Sequence, residues 1–166
     1  MEFTDINTFL KYYAKIKGRT RRLFAHIPPD QIEWTFREGK FTIGDLIRHL
    51  ACIERYMYAE NVQLKPSLYQ GCGTNYAQGH EAVVAFYNRM HEESVAVFSQ
   101  LSSKDLLRKC PTPGGIQITT WKWLRAMVEH EIHHRAQIYT YLAILGVPTP
   151  PLYGLTAEEV EQRRGV

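Results

Sequence analysis

Apolar positions recur at helical spacing along four long stretches of this chain, and polar, glycine-rich or proline-rich segments divide them. The first runs from about Thr4, a suitable N-cap, to Ile27, where Pro28-Pro29 stops it. The second opens at Thr42, with Asp45 three residues on in a capping-box arrangement, and continues to about Asn61. A polar, glycine-rich loop over 65–75 leads to the third, which begins at Tyr76 or Gly79 and ends near Leu101. The Cys-Pro-Thr-Pro-Gly-Gly run at 110–115 is incompatible with helix, and residues 116–119 read as briefly extended. The fourth starts at Thr119 or Thr120 and stops at Gly146-Val147-Pro148, a glycine end followed by proline. Thr156 and Glu159 repeat the capping pattern and predict a short last helix. Sheet-forming sequence is nearly absent. The pattern predicts an all-α four-helix bundle with a short additional C-terminal helix, residues 1–166 forming one domain.

The fourth helix carries the run His130-Glu131-Ile132-His133-His134. Through His133 it spells H-E-x-x-H, the zinc-protease pattern with a glutamate as general base. Through His134 it places two imidazoles one helical turn apart on one face. Trp123, Leu124, Met127, Val128, Ile138, Tyr141, Leu142 and Leu145 form the apolar arc of this helix, with His130 and His134 at one border of it. His133 falls on the other side, beside Ala126, Glu129 and Thr140. The pair able to share an interior metal is therefore His130 with His134.

The second helix mirrors this arrangement. Ile43, Leu46, Leu50, Ile53 and Met57 make its apolar arc, and His49 sits on the border. Three neutral imidazoles from two facing helices would leave a coordination position open, as catalytic zinc sites do. Border histidines satisfied by ordinary hydrogen bonds fit the same pattern, so facing alone leaves both readings standing.

Composition narrows the function classes. The chain has 166 residues, 45% hydrophobic and 22% charged, as expected of a globular domain. Nothing near Met1 reads as a signal peptide, and no segment is long and apolar enough to cross a bilayer. Three cysteines without a C-x-x-C pair argue against a disulfide scaffold and for a reducing, cytoplasmic setting. A net charge of +3 is too small to argue for nucleic acid. The one basic concentration, Lys11 to Arg22, spreads around its helix as a solvated face does. No helix-turn-helix signature or aromatic-basic platform is present, so nucleic-acid and membrane roles are not expected.

Three runs then carry a family resemblance: Arg48-His49-Leu50 followed by Glu54-Arg55, the H-x-x-H-H-R-x-Q run from His130 to Gln137, and the Leu-Gly-x-Pro-x-Pro tail from Leu145 to Pro150. Together they resemble the DinB-like (damage-inducible) metalloprotein family over nearly the whole chain. Ala136 stands where the family often has glycine, and alanine suits a helix better. The resemblance implies a four-helix bundle with a metal site of His49, His130 and His134, the three that facing selects. It implies a homodimer, and it brings in relatives that are S-transferases and isomerases acting with low-molecular-weight thiols such as bacillithiol or mycothiol. The protease reading loses ground: it needs His133, plus a downstream ligand for which only Glu158 and Glu159 qualify, beyond the helix stop.

The function expected is that of a metal-dependent enzyme, a low-molecular-weight-thiol S-transferase or related detoxification enzyme. Its partners would be a small thiol and an electrophilic substrate. A metal-dependent hydrolase and a non-catalytic dimeric scaffold are the alternatives. The cofactor would be one divalent transition metal, with zinc, nickel or iron all suited to imidazole. Glu131, projecting near the centre of the apolar arc, is the candidate catalytic base or orienting group, or else a buried carboxylate paired with an arginine, for example from the first helix. Asp45 and Gln137 are candidates to support ligand imidazoles, Asp45 also as a helix cap. Tyr56 and Tyr141 are candidate pocket residues. Cys52 reads as lying off the apolar arc, and His26, His80 and His91 as surface or loop residues. An outer face of Ile132, Ala136, Tyr139 and Ala143 on the fourth helix is apolar enough for a contact within the chain or in a symmetric dimer.

Overall fold

The computed structural model describes residues 2–164. α1 (Ile6–Phe24) starts one residue later than Thr4 suggests: Asp5 is the cap, its carboxylate accepting from Thr8 N at 2.7 Å. α2 (Ile43–Ile53) opens with the expected capping box, Thr42 Oγ1 accepting from Asp45 N and Asp45 Oδ2 from Thr42 N. The same helix then widens into a π-helical turn, Glu54–Tyr58, and closes with α3 (Ala59–Asn61). α4 (His80–Phe98) follows Gly79, whose φ of +80° suits glycine. A short helix that the hydrophobic pattern does not reveal, α5 (Ser103–Leu107), is capped reciprocally by Ser102 and Asp105. β1 (Lys109–Pro111) pairs antiparallel with β2 (Gln117–Thr119), Cys110 opposite Ile118. α6 (Thr120–Ile144) leaves β2 directly and ends ahead of Gly146 at φ +69°. α7 (Ala157–Arg164) is the expected last helix, with the Glu159 carboxylate accepting from Thr156 N.

The long helices form a four-helix bundle in which α2 packs chiefly on α4 and α1 on α6. Its interior is two apolar clusters. Leu23, Phe24, Ile43, Leu46, Leu50, Val83, Phe86, Ile138 and Leu142 belong to one. Phe9, Ile16, Met57, Val62, Phe98, Leu124 and Met127 belong to the other.

A polar layer lies at the seam between the clusters, and each long helix contributes to it. Lys17 Nζ is 2.8 Å from Glu54 Oε2 and 3.3 Å from Glu131 Oε2. Tyr87 OH donates to Glu131 Oε1 at 2.6 Å, and His91 Nδ1 meets Glu54 Oε1 at 2.8 Å. All five residues are buried. Such a layer adds little net stability but costs heavily when half removed, because the survivor is left as an unpaired charge away from water. His91 is thus an interior residue, contrary to the surface position read from sequence. His26 is exposed as expected, whereas His80 is half-buried as the first residue of α4, its Nε2 3.2 Å from Phe24 O. No helix of the described residues is long and apolar enough to cross a membrane.

Candidate metal centre

His49 from α2 and His130 and His134 from α6 bring their rings together, with centroids 4.4 to 5.0 Å apart. His49 Nε2 is 3.1 Å from His130 Nε2, and His134 Nε2 is 3.0 Å from the same atom. Among the described residues, these three form the group of side chains with metal-ligand atoms close enough to share an ion; no carboxylate or thiol joins them.

The outer ring nitrogens fix the protons. Gln137 Oε1 accepts from His134 Nδ1 at 2.6 Å, so that imidazole carries its hydrogen on Nδ1 and presents a lone pair at Nε2. His49 Nδ1 lies 2.8 Å from Tyr69 OH, a hydroxyl able to accept from it in the same way. Lone pairs on nitrogens about 3 Å apart repel unless a proton or cation lies between them, so the donor set fits a transition-metal ion. Burial, and then the neighbouring His134, pushes the His49 pKa down to about 4. Burial, and then the other imidazoles, pushes that of His130 down to about 3. That of His134 is lowered chiefly by burial, against the Gln137 hydrogen bond. All three are neutral near pH 7, the form that binds metal.

Of the supporting residues proposed from sequence, Gln137 does hold a site imidazole. Asp45 does not: Oδ1 accepts from Arg48 Nη2 at 2.7 Å and Oδ2 serves the helix cap. Burial works against its charge, but these bonds keep its carboxyl below the usual range. Glu131 is buried in the polar layer. Both its oxygens are held by Lys17 and Tyr87, the buried-pair role, with a lysine of α1 as the cation. Tyr141 packs edge-on against Trp34 and Phe36, and Tyr56 packs beside Tyr76, so neither ring pairs with a site imidazole. The aromatic neighbours are instead Phe41 and Tyr69 beside His49, and Tyr58 beside His130. Phe41 and Tyr69 lie outside the helices, where periodicity gives no signal. Tyr58 closes the wide turn, whose winding departs from the regular spacing that periodicity assumes.

His133 is exposed and stands outside the triad although its ring is 4.9 Å from that of His134. Cys52 is a core residue, not off the arc, and burial pushes its thiol up to about 12. That makes it a poor thiolate ligand.

The DinB family model matches residues 1–165. The chain belongs to the DinB family. It is 21% identical over 153 residues to an uncharacterized Bacillus subtilis protein, YjoA, covering 89% of this chain and 95% of that one. The fold matches a DinB-like protein from Bacillus cereus with a TM-score of 0.77, at 17% identity over 91% of this chain and 99% of the other. It matches the crystal structure of YjoA at 0.71, with 20% identity over 87% and 96%. A four-helix bundle protein, TT2238, aligns at 0.63, with 20% identity over 81% and 98%. At such identities the likeness to these solved structures shows a shared four-helix-bundle fold.

Proposed function

We propose that this DinB-family chain is a metal-dependent enzyme that transfers a low-molecular-weight thiol onto an electrophilic small molecule, a detoxifying S-transferase. The observation that carries the reading is the convergence of three neutral Nε2 atoms with no fourth protein donor among the described residues. A bound zinc, nickel or iron ion would hold a thiol as its thiolate or make a bound water more acidic. His49 and His134 are held in ligand orientation by Tyr69 and Gln137. Phe41, Tyr69 and Tyr58 supply apolar surface that limits water beside the triad.

A hydrolase would use the same opening with water in place of the thiol. The thiol reading is favoured by the engagement of Glu131 and Asp45 elsewhere. Hydrolysis by a metal-bound water also needs a group to protonate the departing product, whereas a metal-held thiolate displacing a stable leaving group needs no proton donor. The homodimer of this proposal would form on the outer face of α6, where Ile132, Ala136 and Tyr139 border a cavity of about 510 Å³ against Pro151, Leu152 and Leu155. Three free cysteines agree with a reducing compartment.

The test is to load purified chain with zinc, nickel or iron in turn, measure bound metal, and assay thiol consumption with an aryl halide or epoxide. Metal near one equivalent and acceleration abolished by His130→Ala support the proposal. Full metal with no reaction of any thiol removes the transferase reading. No metal under any loading removes the metal enzyme.

A further inference from the structure

Tyr69 belongs to a loop, yet its hydroxyl lies 2.8 Å from a site imidazole. The loop is fixed on both sides of it. Ahead of Tyr69, the Tyr56 carbonyl accepts from Leu68 N at 2.7 Å and from Ser67 Oγ at 3.3 Å, and Tyr69 N donates to Ser67 Oγ at 3.2 Å. Behind it, Arg48 Nε donates to Cys72 O and Arg48 Nη1 to Ala77 O, both at 3.1 Å.

The Arg48 side chain is fully buried, and all its donor nitrogens are used. Besides the two loop carbonyls, it makes a paired contact with both Glu33 oxygens at 2.7 and 2.8 Å and reaches Asp45 Oδ1. The planar guanidinium satisfies these directions together; an ammonium on the same stem cannot. Arg48 precedes His49 on α2 but points away from the triad, so no histidine contact explains its burial.

We infer that Tyr69 is a positioning residue for the metal site, setting the His49 tautomer, and that Arg48 acts on the site only by holding the loop that presents Tyr69. The inference rests on the metal-site reading proposed above. Tyr69 oxygen accepts the Nδ1 hydrogen of His49, which leaves the Nε2 lone pair aimed at His130 and His134. Without that acceptor, the imidazole is free to carry its hydrogen on Nε2, the tautomer that cannot ligate at the triad.

Tyr69→Phe keeps the ring and removes the acceptor. Nitrogen-15 NMR of the metal-free protein should show His49 as the Nδ1–H tautomer in the parent and a mixture in Tyr69→Phe. Nickel affinity, read by chelator competition, should fall about 10- to 100-fold with the helical circular dichroism unchanged. Arg48→Lys should weaken nickel binding similarly, and Arg48→Lys/Tyr69→Phe should bind no more weakly than Tyr69→Phe alone. Should Arg48→Lys fail to fold, Glu33→Gln, which loosens one side of the guanidinium contact, takes its place in the cycle. Parent tautomer and affinity in Tyr69→Phe overturn the Tyr69 assignment; additive losses overturn the route through Arg48. A parent that binds no nickel defeats the metal reading instead, while the tautomer comparison still decides the role of Tyr69.

Discussion

Lys17 and Glu54 meet at 2.8 Å in the middle of the bundle, neither side chain open to solvent. Thirty-seven positions separate them in sequence, so only the assembled bundle brings them together. Glu54 keeps its carboxyl below the usual range although burial works against it, because Lys17 and His91 face it.

Removing the cation alone should therefore cost more than removing charge from the whole layer. Lys17→Met leaves Glu54 and Glu131 buried without their counterion and is expected to lose about 3–5 kcal/mol in urea unfolding. Adding Glu54→Gln to Lys17→Met should recover part of that loss. Equal or greater loss in the double variant would mean that the ion pair does not set the cost.

Glu131→Gln separates the structural role of this carboxylate from a catalytic one. The amide keeps the shape, but the Lys17 contact is weakened, so stability should fall by about 1–3 kcal/mol. Metal content should stay that of the parent. A protein as stable as the parent but without metal-dependent activity would return Glu131 to the reaction.

Support of His134 by Gln137 predicts a different pattern. Gln137→Ala should fold normally and bind metal about 10- to 100-fold more weakly. His133→Ala, outside the triad, should retain parent affinity, whereas His49→Ala and His134→Ala should lose bound metal. Elemental analysis after gel filtration distinguishes these outcomes, and metal lost through His133→Ala would restore the protease-like ligand set.

Acid should destabilise the metal-free fold through the same imidazoles. In the unfolded chain they protonate around pH 6.5, while in the fold His49 stays neutral to about 4 and His130 to about 3. Between these limits the unfolded chain binds more protons, so stability present above pH 6.5 is lost progressively as pH falls. Thermal melts at pH 7 and pH 5 should show a larger drop in melting temperature for the metal-free parent than for His49→Ala. Equal drops would mean that these groups titrate normally.

Local signals account for much of what the sequence made legible. The capping box of Thr42 and Asp45, the glycine stop at Gly146 and the border positions of His49, His130 and His134 each depend on residues within a turn or two. His91 was within reach of the same reasoning, since it follows Tyr87 by four residues and precedes Phe98 by seven on the buried face of α4. Ser102 and Asp105 likewise carry a capping box over too short a stretch for periodicity to register. The pairings of Lys17 with Glu54 and Tyr69 with His49 leave no such trace, because tertiary closure decides them. The widened turn at Glu54–Tyr58 has no composition signature either.

That turn makes chain length itself a constraint. Before it the helix buries Leu46 and Leu50 in one cluster, and from within it onward Met57 and Val62 in the other, with His49 timed to the first half. A residue added to the regular helix on either side of this turn would swing one half by about 100° relative to the other. Either the imidazole would leave its partners or the far apolar side chains would face water. Substitution at the half-buried Arg55 keeps both halves in phase, so this stretch should accept changes of spelling far more readily than a change of count.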